Sequence, residues 1–439
     1  MRLPLHLRVE NDSHLRYDTR MDTMITNKKR PGLPKTSFLM FFSILGPGLV
    51  VMLADTDAGS LITAAQSGAM WGYKLLLLQF ILMPILFIAQ ELTVRLGIVT
   101  GMGHGELIKK HFGTAWAWLS VTTLIVSCIG AIVSEFSGLA SVGMLFGISP
   151  HIVVILAIVF LAVMAWTGSY LSVERIAIAI GLFQLVFFVV AFMAKPSLHE
   201  MWQGIKSMPM HSSEYLYLMA ANIGAVIMPW MIFYQQSAVV DKGLKKEDLK
   251  PARWDTAIGA VITQLVMAAM LVAAAATIGK TNPNAPLNSV QQISNALIPF
   301  LGPVAGKILF ALGMIGASMV AAIVVSLTAA WGLGEVTGYK RSLSHKPKQA
   351  PMFYGIYTLI LLIGGMVVLS GMNLVALNVG VEVMNALLLP IVLGFLFLLA
   401  RKTLPEKYKL KGTYAWIVFV ILAISAVFGV YGGITGIFN

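Results

Sequence analysis

Charged residues are scarce in this chain. Only 11% of its 439 residues are Asp, Glu, Lys or Arg, whereas 58% are hydrophobic, and the mean hydropathy is +0.82. A soluble domain of this size carries about a quarter charged residues. The composition therefore excludes a soluble globular protein, and the repeated apolar stretches of about 20 residues or more indicate a polytopic membrane protein.

Other absences narrow the function. Cys128 is the only cysteine, so the chain has no disulfide framework. The sequence has no HExxH, GxSxG, P-loop or CxxC motif, and its eight histidines fall in tails, loops or span ends. We therefore predict that the protein is not an enzyme and holds no cofactor. No Lys, Arg or His falls at the centre of a predicted helix, so buried cationic partners are not expected.

The hydropathy pattern predicts an all-α membrane protein with about eleven transmembrane helices. The apolar spans lie near residues 38–72, 75–99, 115–145, 150–168, 173–194, 215–241, 253–279, 303–335, 352–371, 373–400 and 413–437. Several exceed 20 residues, which predicts tilted or bent helices.

Basic residues lie mainly in alternate connections. Connections on the side of the N-terminus hold 26 of the 31 Lys and Arg residues, and the opposite side holds 5. The positive-inside rule then places the N-terminus in the cytoplasm and, after eleven crossings, the C-terminus outside. This distribution explains the net charge of +12 without a nucleic-acid partner. The polar, basic residues 1–36 have no signal-peptide pattern and are predicted to form a cytoplasmic tail.

Two spans are interrupted. The first contains Gly46-Pro-Gly48 and then Asp55-Thr-Asp-Ala-Gly-Ser60, and the sixth contains Met228-Pro229. They begin two successive five-helix sets, of which the second must be inverted because five is odd. Broken helices at corresponding positions of inverted repeats indicate a transporter binding site. The predicted organisation is the tail at 1–36, a transporter core at 37–400 with repeats at 37–195 and 212–400, and a loop and eleventh helix at 401–439.

Ionisable residues at membrane depth are candidates for function because their burial is unfavourable. All such residues here are acidic, namely Asp55, Asp57, Glu135 and Glu382. Without buried cations, they favour a bound cation or protonated carboxyl groups. Asp57 is the leading ligand candidate because the adjacent break frees carbonyl oxygens near Ala54. Ser60 adds a hydroxyl ligand or caps the second half-helix. The alternative is a capped kink without an ion.

The Met228-Pro229 pair has two possible roles. Proline breaks the helix and frees carbonyls near Ala225, while the Met228 thioether suits later transition metals better than magnesium or calcium. The alternative for Met228 is packing, as for most of the 25 methionines. Glu135 and Glu382 are each open to a role as metal ligand, proton carrier or hydrogen-bonded carboxyl group. Asn385 shares the face of Glu382, and helix packing is its alternative role.

Three motifs resemble the Nramp family of divalent metal transporters, and the likeness covers about residues 40–400. Gly46-Pro47 followed by Asp57-Ala-Gly-Ser60 is similar to its helix-one pattern, GP followed by D-P-G-N. Ala225-Val-Ile-Met-Pro-Trp230 is similar to its helix-six A-x-x-M-P-H, and Ser134-Glu-Phe-Ser-Gly138 to its helix-three A-E-V-I-G.

The resemblance implies a LeuT-type fold with an inverted five-helix repeat and broken helices 1 and 6. It implies metal ligands from Asp57, the Ala225 carbonyl and Met228, with Ser60 in the place of the family's asparagine. Family members typically import Mn²⁺ or Fe²⁺, often with protons, and Glu135 matches the glutamate of the proton-linked third helix. A single chain per transporter is the family precedent, which favours a monomer.

The chain also departs from the family pattern. The replaced positions are Ala58 for proline, Trp230 for histidine, Gln235-Gln236 in the region of a second histidine, Ile132 for aspartate, and Glu382 where the family has glutamine. Asp55 is an additional acid. More carboxylate oxygen favours harder or more hydrated ions such as Mn²⁺ or Mg²⁺, whereas the retained Met228 favours transition metals.

We therefore predict a secondary transporter that moves divalent cations (Mn²⁺, Fe²⁺ or Mg²⁺) across the plasma membrane by alternating access, with proton coupling left open. The predicted metal site comprises Asp57, Met228, Ser60, Ala225, Ala54, Asp55 and Glu382, surrounded by Glu135, Trp230, Gln235 and Asn385. The alternatives are an organic-solute transporter of the same fold, such as one for amino acids, a channel, and a metal-binding sensor. The two aspartates argue against a substrate carboxylate, which would seek helix N-termini.

Overall fold

The structure is a computed structural model, which describes residues 46–167, 170–281, 286–287, 289, 292–294, 302–343 and 345–438. The predicted basic tail and the start of the first span lie outside the described residues. Within the described ranges the chain forms helices and no β-strand.

The helices are numbered along the chain. They are α1 (Pro47–Asp55), α2 (Ala58–Trp71), α3 (Leu76–Thr100), α4 (His104–Phe112), α5 (Thr114–Leu145), α6 (Pro150–Thr167), α7 (Tyr170–Gly181), α8 (Val186–Met193), α9 (Leu198–Lys206), α10 (Ser213–Val226), α11 (Pro229–Asp241), α12 (Leu249–Ala276), α13 (Ile278–Thr281), α14 (Pro303–Thr337), α15 (Pro351–Val368), α16 (Leu374–Lys402) and α17 (Gly412–Phe438). Short 3₁₀ turns cover Leu182–Leu185, Lys246–Asp248 and Pro347–Gln349.

The predicted number of spans is confirmed. In the described part of the chain, 10 segments are long and apolar enough to cross a membrane, and the bent pair α1–α2 raises the number to 11. Two boundaries differ from the prediction: α12 begins at Leu249, before residue 253, and a 3₁₀ turn divides the fifth span into α7 and α8. The short helices α4 and α9 lie in connections for which the hydropathy pattern predicted no span.

The break in the first span follows from its capping residue. Asp57 has extended backbone angles (φ −81°, ψ 178°), and its side chain accepts a 2.7 Å hydrogen bond from the Ser60 amide. This is the geometry of an N-cap, which satisfies a donor at the start of a helix. The capped helix α2 therefore starts in a new direction, bent by 45° from α1.

The break in the sixth span follows from its proline. A residue before proline is disfavoured in the α region, and proline is well suited to the first position of a helix. Met228 accordingly has extended angles (φ −91°, ψ 141°), and Pro229 begins α11. The half-helices α10 and α11 thus meet at Ile227 and Met228.

Close packing brings α16 against the sixth span. A Cβ atom on Gly224 would lie 1.9 Å from the carbonyl oxygen of Glu382, so only glycine allows the two backbones to approach this closely. Gly224 is adjacent to Ala225 at the end of α10. This contact therefore places the Glu382 turn of α16 beside the break.

A carboxylate from α12 fixes the start of α1. Asp255 accepts hydrogen bonds from the amides of Gly48 at 2.8 Å, Leu49 at 3.1 Å and Gly46 at 3.3 Å. These donors have no partner within their own helix, and the positive end of the helix dipole favours a carboxylate. Asp255 therefore ties the first half-helix to α12.

Candidate metal site at the helix breaks

The two helix breaks are joined directly. The Ser60 hydroxyl donates a 3.0 Å hydrogen bond to the carbonyl oxygen of Ala225, and both residues are buried. Ser60 lies in the first turn of α2 and Ala225 in the last turn of α10. The positive end of one half-helix and the negative end of the other therefore meet at one place.

Asp57 presents one oxygen to this place. Its Oδ1 atom caps α2, whereas its buried Oδ2 atom has no hydrogen-bond partner among the described residues. A buried acceptor without a partner loses its hydration free energy and gains nothing in return. The Oδ2 atom is therefore available to a cation or to a water that accompanies one.

Glu135 of α5 supports the same cap. Its Oε2 atom accepts a 3.2 Å hydrogen bond from the amide of Ala58, the first residue of α2. The carboxyl groups of Glu135 and Asp57 also lie within hydrogen-bonding range of each other, so they require a shared proton or a cation between them. As charged carboxylates, Glu135 Oε1 and Asp57 Oδ2 have no donor among the described residues. Two carboxyl groups thus share one helix N-terminus.

Glu382 reaches the cluster because residue 59 is glycine. A Cβ atom on Gly59 would lie only 2.2 Å from Glu382 Oε1. The other oxygen, Oε2, accepts from Asn385 at 3.0 Å, and Asn385 in turn accepts from the Ser127 hydroxyl at 2.7 Å. Asn385 and Ser127 therefore orient Glu382, while Oε1 has no hydrogen-bond partner among the described residues.

Asp55 is the least compensated acid of the group. It is the last residue of α1, is 1% exposed, and has no hydrogen-bond partner for either carboxylate oxygen within the described ranges. The end of a helix carries a partial negative charge, which disfavours an acid there. Asp57 and Glu382 add further repulsion if all three are charged. This position therefore requires a positive charge or a proton nearby.

Met228 lies at the break of the sixth span and is fully buried. Its sulfur accepts a 3.1 Å hydrogen bond from the Trp230 indole Nε1–H in the first turn of α11. The hydrogen bond from Trp230 therefore fixes the orientation of the Met228 thioether at the break.

Two carbonyls at the end of α1 are already engaged. Gln184 donates to the carbonyl of Leu53 at 2.8 Å, and Thr263 donates to the carbonyl of Met52. The last four carbonyls of a helix have no partner within it. The remaining two carbonyls, of Ala54 and Asp55, lie at the break.

Gln235 is placed differently from the other candidates. Its amide donates to the Thr256 hydroxyl of α12 at 2.9 Å, two turns beyond Met228. The Oε1 atom of its neighbour Gln236 accepts a 2.9 Å hydrogen bond from Nδ1–H of His104 of α4. These two glutamines therefore connect α11 to neighbouring helices.

Several residues that shape this site were not predicted from the sequence: Ser127, Gln184, Asp255, Thr263 and, in its role, Gly59. Asp255 is visible as an acid near the start of an apolar span, and Gly59 as part of the Asp57-Ala-Gly-Ser60 motif. The contacts of the others join residues far apart in the chain, such as Gln184 with Leu53. Such contacts leave no local pattern.

The acids do not form a compact metal cluster by themselves. Among the described residues, no group of three or more His, Cys, Asp and Glu side chains is arranged to hold a metal ion. The breaks instead offer one carboxylate oxygen, one thioether sulfur, one hydroxyl and several carbonyl oxygens as possible metal ligands. Further acidic side chains surround them. A mixture of this kind can bind a divalent cation without fixing it permanently.

Comparisons with known proteins identify the family of the chain. The profile of the Nramp family, described as natural resistance-associated macrophage protein-like, matches residues 48–435. The divalent metal cation transporter MntH of Klebsiella pneumoniae (strain 342) is 28% identical over 292 residues, which is 65% of this chain and 70% of that protein.

Solved structures share the fold. A crystal structure of the Eremococcus coleocola manganese transporter, in complex with an aromatic bis-isothiourea substituted compound, superposes with a TM-score of 0.75 at 18% identity and covers 94% of this chain and 90% of that chain. MhsT in complex with L-phenylalanine gives a TM-score of 0.60 at 13% identity and covers 89% and 98%. The predicted LeuT-type fold is therefore confirmed.

Proposed function

Because the chain belongs to the Nramp family, we propose that it moves divalent metal cations across the membrane, with the ion held between the breaks of the first and sixth spans. The observation that carries this proposal is the unpartnered Oδ2 atom of Asp57, buried beside a break that Ser60 joins to Ala225. Relatives and structural neighbours that transport divalent metal ions or manganese support the same substrate class.

The proposed ligands are Asp57 Oδ2, the Met228 sulfur, the Ser60 hydroxyl and the carbonyls of Ala54 and Ala225. Carboxylate, hydroxyl and carbonyl oxygens suit hard cations, and a thioether suits later transition metals. The combination favours Mn²⁺ and Fe²⁺ over Ca²⁺, while its oxygen-rich surroundings also admit Mg²⁺. The Ser60 hydroxyl donates a hydrogen bond to Ala225, which leaves the lone pairs of its oxygen for the ion.

Asp55 and Glu382 supply negative charge rather than a compact ligand set. Both have buried carboxylate oxygens without a hydrogen-bond partner among the described residues. At an effective dielectric constant of about 20, a charge several ångströms away still attracts a divalent ion by several kcal/mol. We assign to them electrostatic attraction of the ion and contacts through its hydration water.

The remaining candidate residues orient the ligands and the helices around the ion, or carry protons. Trp230 orients Met228, Asn385 orients Glu382, and Gln235 fixes α11 against α12. We assign to Glu135 the exchange of a proton close to Asp57, which would couple metal transport to protons. An uptake assay that also follows the pH inside the vesicles measures it.

Alternating access follows from burial. Asp57 and Met228 are both fully buried, so an ion reaches them only if one side of the fold opens. On the cytoplasmic side, as the positive-inside rule assigns it, Asp255 holds the start of α1. Release of the three amides by Asp255 is the proposed step that frees α1 to move. We place the protein in the plasma membrane as a monomer, with the N-terminus inside.

Uptake of Mn²⁺ into proteoliposomes tests the proposal. Wild-type protein should concentrate Mn²⁺ when an ion gradient drives it, and Asp57→Asn should abolish uptake. Glu247→Gln removes an exposed carboxylate and should leave uptake unchanged. Flux that is only ever downhill would indicate a channel, binding without flux a sensor, and uptake of amino acids instead of metal the organic-solute alternative. Each of these outcomes contradicts the proposal.

A further inference from the structure

An apolar groove runs along the outer surface between α16 and α17. Its main cavity has a volume of about 690 Å³ and is lined by apolar side chains with few polar atoms. A second cavity of about 360 Å³ shares Phe397 and Phe419 with the first and extends to Arg401 and Trp416. The two cavities therefore form one groove that is apolar along its length and basic at one end.

Small residues keep the groove open. Gly394 lies in its floor on α16, and Ala423 and Ala426 face it from α17. A Cβ atom on Gly394 would meet no atom within 4 Å, so backbone packing does not require glycine there. A larger side chain at this position would occupy the groove without displacing the helices.

The wall that α16 supplies to the groove is about one leaflet deep. It is lined from Pro390 to Arg401, and a helix rises about 16 Å over that distance, whereas the lining on α17 runs from Gly412 to Thr435 and is about twice as long. The hydrocarbon core of a bilayer is about 30 Å thick, so the α16 wall covers close to half of it. One lipid acyl chain extends over the same depth.

The basic end has the chemistry of a phosphate site at the interface. The Arg401 guanidinium lies 5.8 Å from the centre of the Phe397 ring and is exposed, and the described residues include no carboxylate that pairs with it. By contrast, Lys409 and Lys411 both pair with Glu406. Trp416, 69% exposed, lies beside Arg401 at the level where aromatic residues mark the interface.

We propose that this groove binds one glycerophospholipid with an anionic headgroup. An acyl chain lies along Gly394 and Ala423, and Arg401 contacts the phosphate. Arginine suits this role because its guanidinium donates to phosphate oxygens and stacks on an aromatic ring. The bound lipid would join α17 to α16, the helix that carries Glu382. The proposal goes beyond metal transport and does not depend on it.

Native mass spectrometry of the purified full-length protein tests the site. The probes are palmitoyl-oleoyl phosphatidylglycerol and palmitoyl-oleoyl phosphatidylcholine, added at equal concentration. Wild-type protein should retain one phosphatidylglycerol and prefer it about fivefold, as expected for one basic residue near an anionic headgroup. Arg401→Gln should abolish the preference, while Lys348→Gln, the same change at an exposed distant lysine, should preserve it.

Two further variants test the apolar part. Gly394→Leu and Val427→Trp should each lower the retention of both lipids, because they fill the groove. Val427 is 64% exposed and Gly394 faces open space, so both variants should fold. Equal binding of the two lipids by wild type, an equal loss in Lys348→Gln, unchanged retention in Gly394→Leu, or a second protein copy in place of lipid would each overturn the proposal.

Discussion

The indole Nε1–H of Trp230 donates a 3.1 Å hydrogen bond to the sulfur of Met228. Trp230 occupies the position where the resembling family pattern has a histidine. The histidine could bind a metal, whereas the indole has only a donor and cannot. The substitution therefore changes the residue from a possible ligand to a group that orients the soft ligand beside it.

Replacement of Trp230 by phenylalanine tests this relationship. Trp230→Phe keeps an aromatic ring and removes the donor, so the thioether loses its fixed orientation. A neutral hydrogen bond contributes about 1 kcal/mol, and we expect the apparent KM for Mn²⁺ to rise about fivefold with little change in kcat. Trp116→Phe, at a 54% exposed site, is the control. An unchanged KM in Trp230→Phe would show that the sulfur needs no such support.

Asp55 should oppose folding and favour ion binding at the same time. Asp55→Asn removes an unpartnered carboxylate from the end of α1, so thermal stability in detergent should rise when no metal is added. The same variant should bind Mn²⁺ more weakly by about tenfold or more, because it lacks a nearby negative charge. A titration with Mn²⁺ followed by thermal unfolding measures both effects. A variant that is less stable yet binds Mn²⁺ as tightly as wild type would contradict the assigned role.

The contact between α10 and α16 gives a prediction about stability. Gly224→Ala places a Cβ atom 1.9 Å from the Glu382 carbonyl oxygen and should lower the apparent melting temperature by several degrees, since overpacking typically costs about 1–3 kcal/mol. Gly380→Ala, also on α16, meets no atom within 4 Å and should have little effect. Size-exclusion chromatography after heating compares the two. Equal melting temperatures would mean that the helices do not pack this closely.

His104 predicts how stability depends on pH. Burial lowers its pKa from 6.5 to about 4, although the hydrogen bond with Gln236 acts in the opposite direction. Between these values the unfolded chain binds a proton that the folded protein does not, so stability falls as the pH drops below 6.5. From pH 7.5 to 5.0 the loss should be about 2 kcal/mol.

Variants of two histidines test whether His104 causes this pH dependence of stability. His104→Gln should reduce the difference in melting temperature between pH 7.5 and 5.0, whatever its absolute stability. His151→Gln, at an exposed histidine, should leave the difference unchanged. An identical pH dependence in wild type and His104→Gln would rule out His104 as its source.

The sequence predicts the parts of the fold that local chemistry determines. Long apolar runs identify the eleven spans, the Met228-Pro229 pair fixes the break in the sixth, and the stretch from Asp55 to Ser60 marks the break in the first. The cap of α2 is Asp57, whereas the sequence suggests Ser60. The sequence does not reveal which distant residues complete the site. The Asp255 cap, the Gln184 contact and the space that Gly59 leaves for Glu382 all depend on packing between helices that are far apart in the chain. The metal ligands themselves remain a prediction.

Anomalous diffraction from crystals grown with Mn²⁺ locates the bound ion. One strong manganese peak should lie between the two breaks, within about 2–3 Å of Asp57 Oδ2 and of the Met228 sulfur, and it should be lost in Asp57→Asn crystals. A peak elsewhere in the fold, or an undiminished peak in the variant, would show that these residues do not hold the ion.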